Sequence, residues 1–159
     1  MNVDRRGVTL IEMLIVVMII GLIASVSFPA VSSGLDSLRL ASASDSLVAF
    51  LNAGLNRADR RQEAVEVAIS TRDNSVTLTS ASLSRRLEMP SGVKIEQVLP
   101  HLPEEIEGPR LFLLFPGGAV PRIGVEIVNK KGVRRIVRVN PMTGVPEIER
   151  VVAGSEAAQ

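Results

Sequence analysis

VTLIEMLIVVMIIGLIASVSFPAV, residues 8–31, carries one ionisable side chain, Glu12, in 24 positions. As a helix rising about 1.5 Å per residue it reaches about 36 Å, against roughly 30 Å of bilayer hydrocarbon, so it reads as a membrane span. Arg5 and Arg6 stand directly before it, and the next basic residue is Arg39. That excess of positive charge places residues 1–7 in the cytoplasm and sends the rest of the chain outward. A cleaved secretory signal has the same basic-then-apolar order, with Ser25-Val26-Ser27 as a small-residue cleavage site, but its apolar core is usually about 7–15 residues long and holds no acid. An uncleaved signal anchor fits the length and leaves Glu12 without a reason.

A carboxylate at the bilayer centre costs about 2.5–3.5 kcal/mol on insertion scales, and such a residue normally has a partner or a function. Cleavage after Gly7 would supply the partner. The new α-amine of Val8 stands four residues before Glu12, within one helical turn, where the positive end of the helix dipole also favours a carboxylate. The amine of a neighbouring chain would serve equally. The run Arg5-Arg6-Gly7-Val8-Thr9-Leu10-Ile11-Glu12-Met13-Leu14-Ile15-Val16-Val17 resembles the processing site of type IV pilins and type II secretion pseudopilins. The resemblance implies a short basic leader ending at Gly7, cleavage between Gly7 and Val8 by prepilin peptidase, N-methylation of Val8, and a role for Glu12 in docking the subunit into a growing filament. Val8 stands where the family usually has Phe or Met. Pro29 matches the family's helix-kinking proline. On physical grounds alone, a proline there either bends the helix, with the hydroxyls of Ser25 and Ser27 relieving the lost hydrogen bond, or marks the outer end of the span.

Beyond Ser32-Ser33-Gly34, which weakens the helix, Leu40, Ala43, Leu47, Leu51 and Leu55, with Phe50 beside them, recur at steps of three and four. Asp36, Arg39, Asp45, Arg57, Asp59, Arg60 and Arg61 fall largely off that stripe. The spacing predicts an amphipathic helix packed on a globular body, with Leu47, Leu51 and Leu55 in the core. After Gln62 the period becomes two. Val65, Val67 and Ile69, the turn Arg72-Asp73-Asn74-Ser75, then Val76 and Leu78 predict a hairpin. Val93 and Ile95 follow Pro90-Ser91-Gly92; Leu111 to Phe115 is a short fully apolar strand closed by Pro116-Gly117-Gly118. Ile123, Val125 and Ile127 alternate, Asn129-Lys130-Lys131-Gly132 turns into Val133 to Val139, and Asn140-Pro141-Met142-Thr143-Gly144 leads to a weak last strand near Val145 to Ile148. The fold class is α+β: a long N-terminal helix on an antiparallel head of about six strands. Pro100 to Pro109 reads as an exposed loop.

The order helix, hairpin, Phe115-Pro116-Gly117-Gly118 and a closing hairpin ending in Thr143-Gly144 is similar to the H-type minor pseudopilins and their minor-pilin relatives. With the N-terminal motif, it implies a leader at 1–7, a transmembrane segment at 8–31, an amphipathic helix segment at 32–62, a β-rich periplasmic head at 63–148 and a tail at 149–159. It further implies a structural, non-enzymatic subunit in the inner membrane with its head in the periplasm. Its partners would be other pilins through their N-terminal helices, prepilin peptidase, and a secretion or pilus assembly platform. The Cys-closed terminal loop and the acidic calcium-binding cluster of the major pilins and the major pseudopilin are missing.

Composition bounds the remaining chemistry. No Cys and a single His, His101, exclude a disulfide framework and a Cys/His zinc site, and no cofactor or metal is expected. Glu104, Glu105 and Glu107 read as a solvated loop, and His101 between two prolines as a surface residue. No G-x-S-x-G elbow occurs, and Gly117-Gly118 lacks phosphate-loop spacing. The run Lys130, Lys131, Arg134, Arg135, Arg138 is the one basic cluster. Strand alternation puts Arg134 and Arg138 on one face and Arg135 with Val137 and Val139 on the other. A minor type IV pilin of a pilus or competence system, with Lys130, Lys131, Arg134 and Arg138 holding DNA, is the alternative. A near-neutral chain of formal charge +1 with four Phe and no Trp or Tyr favours a solvated face instead, with nucleic acid not expected as a partner.

Overall fold

A computed structural model describes the backbone of residues 9–102 and 108–150, and the side chains of those residues other than 26–33 and 150. Helix α1 runs from Leu10 to Arg61, and the chain divides into two compact units, Met1–Leu35 and Asp36–Gln159. The helical backbone passes through Ser32-Ser33-Gly34 without a break.

Among the described residues of the second unit, eight strands form two antiparallel four-stranded sheets. β1 (Val65–Ser70), β2 (Ser75–Ser80), β3 (Leu83–Glu88) and β5 (Arg110–Leu114) form one, in the order β3-β2-β1-β5. β4 (Val93–Leu99), β6 (Gly124–Asn129), β7 (Arg134–Val139) and β8 (Pro146–Arg150) form the other, in the order β4-β6-β7-β8. The α+β class holds; the division into two sheets is an addition to the expected single head sheet. β3 went unpredicted because Arg85 and Arg86 interrupt its apolar alternation, which an edge strand tolerates. β8 reaches Arg150, with Glu149 opposite Ile136 and Arg150 opposite Arg135, so pairing continues two residues into the expected tail.

The core follows the predicted periods. Leu40, Ala43, Leu47, Phe50 and Leu51 are buried and Leu55 is partly buried. They share one apolar cluster with Val65, Val67 and Ile69 of β1, Val76 and Leu78 of β2, and Val125, Ile127, Val137 and Val139 of the second sheet. Gly54 lets the helix approach the first sheet: a Cβ there would lie 3.0 Å from Leu78 Cδ2 and 3.4 Å from Leu114 Cδ1. Ser44 is buried on the same stripe, its hydroxyl donating to the Leu40 carbonyl at 2.7 Å. The strand expected at Leu111 to Phe115 starts one residue earlier, at Arg110, and ends at Leu114, and it is buried on one side only. Phe112 and Leu114 face the core, whereas Leu111, Leu113 and, just past the strand, Phe115 are exposed, because alternate side chains point to opposite faces of the sheet and only one face packs on the core.

Leu47 is fully enclosed, so Leu47→Ala should remove about 2–5 kcal/mol of stability, read as a fall in the urea midpoint of the full chain in detergent micelles. A loss below about 1 kcal/mol would mean that the stripe is not the centre of the core.

Candidate functional site

The N-terminal turn of α1 is built by Thr9. Its side-chain Oγ1 accepts the Glu12 backbone N–H at 3.3 Å, and its carbonyl accepts the Met13 N–H at 3.2 Å. Thr9 is therefore the N-cap and Glu12 the third helical residue, where the exposed N–H groups of the first turn favour a carboxylate by about 0.3–1 kcal/mol. The Thr9-x-x-Glu12 spacing is the capping-box pattern, a legible signal that the membrane-centred reading of Glu12 passed over. Gly7 and Val8, the expected cleavage and methylation positions, lie outside the described residues.

From Leu10 to Ser25 every residue is exposed, including twelve large apolar side chains between Leu10 and Ile23. An apolar surface on all sides of a helix has no stable home in water and requires lipid or other helices. Among the described residues no helix is long and apolar enough to cross a membrane. The described apolar stretch ends at Ser25, about 24 Å of helix against roughly 30 Å of hydrocarbon. Ser25 Oγ donates to the Leu22 carbonyl at 2.8 Å, so that hydroxyl is committed within its own turn. The helical backbone continues through Pro29, whose side chain lies outside the described residues, so the helix does not end there.

In the head, the basic run separates by role. Asn129 shapes the β6–β7 turn, its Oδ1 accepting the N–H groups of Lys131 and Val133, both at 3.0 Å. Gly132 follows at φ 78°, and the Lys130 stem lies against Gly92. Arg134 forks onto Glu96, with Nε–Oε2 2.9 Å and Nη2–Oε1 3.0 Å, and reaches the buried Glu126 at 3.5 Å. Gln97 Nε2 also donates to Glu126, and the bulge between Ile95 and Gln97 places that amide opposite it. Arg138 pairs with Glu149 at 3.5 Å. Arg135 is partly buried on the Val137 and Val139 side, as alternation requires. Lys130, Lys131, Arg134 and Arg138 are thus near one another in sequence, while the two arginines are each bound to carboxylates. These partners come from other strands and become visible only with the register.

His101 is exposed, and Glu104, Glu105 and Glu107 lie outside the described residues. Among the described residues no group of three or more His, Asp or Glu could hold a metal ion. Two further turn devices went unpredicted. Asp59 Oδ1 accepts the Gly117 N–H at 3.3 Å, tying the Phe115-Pro116-Gly117-Gly118 turn to the end of α1. Arg57 pairs with Glu63 at 2.7 Å and donates to the Ser80 and Ser82 hydroxyls at 3.0 and 2.6 Å.

Residues 3–28 match the family model described as the prokaryotic N-terminal methylation motif. No curated protein and no solved structure matches the chain. The motif is of the prepilin type and covers about a sixth of the chain; it supports a type IV pilin-like, structural protein. It implies processing by prepilin peptidase and assembly with other pilins. The helix packed on antiparallel sheets is consistent with a pilin-like head.

Because Glu126 is buried against Arg134, Arg134→Ala should cost about 1–3 kcal/mol by leaving that carboxylate partly unpaired. Arg138→Ala, which breaks an exposed pair, should cost less than about 0.5 kcal/mol. Urea unfolding of the two variants side by side checks the difference.

Proposed function

We propose that the chain is a minor pseudopilin of the type II secretion system, cleaved between Gly7 and Val8, methylated at Val8 and built into a short periplasmic filament. The observation that carries this reading is the coincidence of the methylation motif at residues 3–28 with a helix apolar on every side whose first turn holds Glu12. Before assembly, residues 8–31 hold the subunit in the inner membrane with residues 1–7 in the cytoplasm and the head in the periplasm. During assembly, lipid is exchanged for the apolar helices of neighbouring subunits. Glu12 then meets the Val8 amine of its own or a neighbouring chain, and this pairing sets the axial register of the incoming subunit. The filament core is made of helices, and the heads face outward. The secretion role, in preference to a pilus, rests on the similarity of the strand and turn order to H-type minor pseudopilins.

The mature chain should begin at Val8, losing Asp4, Arg5 and Arg6 and passing from +1 to 0 in formal side-chain charge. Intact-mass measurement of the membrane-extracted protein decides it, and a chain starting at Met1 or Phe28 would contradict the reading. Glu12→Ala makes the span more apolar, so insertion and cleavage should persist while recovery in sheared filaments falls. Normal recovery would remove Glu12 from assembly. Deleting the chain should stop type II secretion and leave surface pili intact; the reverse outcome would assign it to a pilus.

A further inference from the structure

On the outer face of the second sheet, a groove of about 310 Å³ opens where β4 ends, β6 begins and β7 ends. Its floor follows from the register. Leu99, Gly124 and Arg138 stand opposite one another across three strands, and the middle position has no side chain. A Cβ on Gly124 would lie 2.9 Å from Leu99 Cβ, so the hollow depends on glycine at that point. Pro100 and Pro141 contribute rigid apolar walls, and Arg122 joins Arg138 as the second charged residue of the lining.

The charges in the groove are unequally engaged. Arg122 is exposed and has no ion pair or hydrogen bond among the described residues. Arg138 is held by Glu149 through Nε at 3.5 Å, with both side chains about half exposed, a pairing weak enough in water to be exchanged. Glu147, across from Arg138, accepts from Asn140 Nδ2 at 3.5 Å. Among the described residues the lining therefore includes two arginines and no acidic residue, with Glu147 opposite Arg138 and Glu149 paired with it on the neighbouring strand.

We propose that this groove binds an acidic side chain from an extended segment of a partner protein, with Arg122 and Arg138 holding its carboxylate and Leu99, Pro100 and Pro141 receiving its aliphatic neighbours. Planar guanidinium groups match a carboxylate through paired charge-assisted hydrogen bonds. The apolar share of the lining, Leu99 and the two prolines above all, suits a peptide better than a bare ion. Glu147 and Glu149 at the rim offset part of the positive potential, which favours a monoanion over a phosphate dianion. Among the described residues the lining contains no aromatic ring, so bases would find no stacking surface there.

The test is a titration of the isotope-labelled full chain in detergent micelles, followed by NMR at the Gly124 and Ile123 amides. The probes are acetyl-Leu-Glu-Leu-amide, its Gln counterpart and inorganic phosphate. The Glu peptide should produce saturable shifts at these amides, and the Gln peptide should bind at least about tenfold more weakly. Arg122→Gln, which breaks no ion pair among the described residues, should weaken the Glu peptide by about tenfold while Val125 and Ile127 keep their native shifts. Arg122→Gln/Arg138→Gln should abolish binding. Equal affinity for the two peptides, no saturable shift, or an unaffected Arg122→Gln variant would overturn the proposal. Phosphate shifting these amides when the Glu peptide does not would overturn it in favour of a free-anion site.

Discussion

The burial of one helical stripe organises the head. Leu40, Ala43, Leu47 and Leu51 have almost no contact with solvent, and the residues that enclose them come from the alternate positions of both sheets. At about 25 cal/mol per Å² of apolar area, a stripe of this kind supplies more stabilisation than any surface ion pair in the molecule. It also explains the small residues around it. Ala43, Ser44, Gly54 and Ala58 sit where the helix must come close to its neighbours, and Gly54 is where Leu78 and Leu114 leave no room for more.

The same helix faces a different problem at its start. Between Leu10 and Ile23 the large apolar residues have no inward face to occupy, and the side-chain polar contacts there are local: Thr9 capping the first turn and Ser25 bonding back to Leu22. The two compact units thus correspond to two ways of covering apolar surface, one supplied by the chain's own strands and one that must come from outside the polypeptide.

Features encoded by local periodicity were legible in the sequence. The helix end near Arg61, the β1–β2 hairpin and the in-out order of β7 all follow from spacing and turn residues. Features that depend on which strand lies beside which were not. β3 carries Arg85 and Arg86 because an edge needs little apolar alternation, and the split into two sheets is a matter of long-range pairing. Arg134 belonged to a basic run by sequence and to Glu96 and Glu126 by register, since those acids lie 38 and 8 positions away. The groove of Arg122 and Arg138 likewise exists because Gly124 is opposite Leu99, a coincidence of two separate strands. Local rules also hold information that a dominant reading can hide: Thr9 and Glu12 form a capping pair by spacing alone.

The first sheet ends differently on its two sides. β3 presents Arg85, Arg86 and Glu88, whereas β5 presents Leu111 and Leu113 on its outer face, with Phe115 just beyond. Charged edge residues impose a solvation cost on any strand that tries to add there, and apolar ones do not. The two terminal strands are therefore unequal, and the charged β3 resists a further strand more strongly than the apolar β5 does.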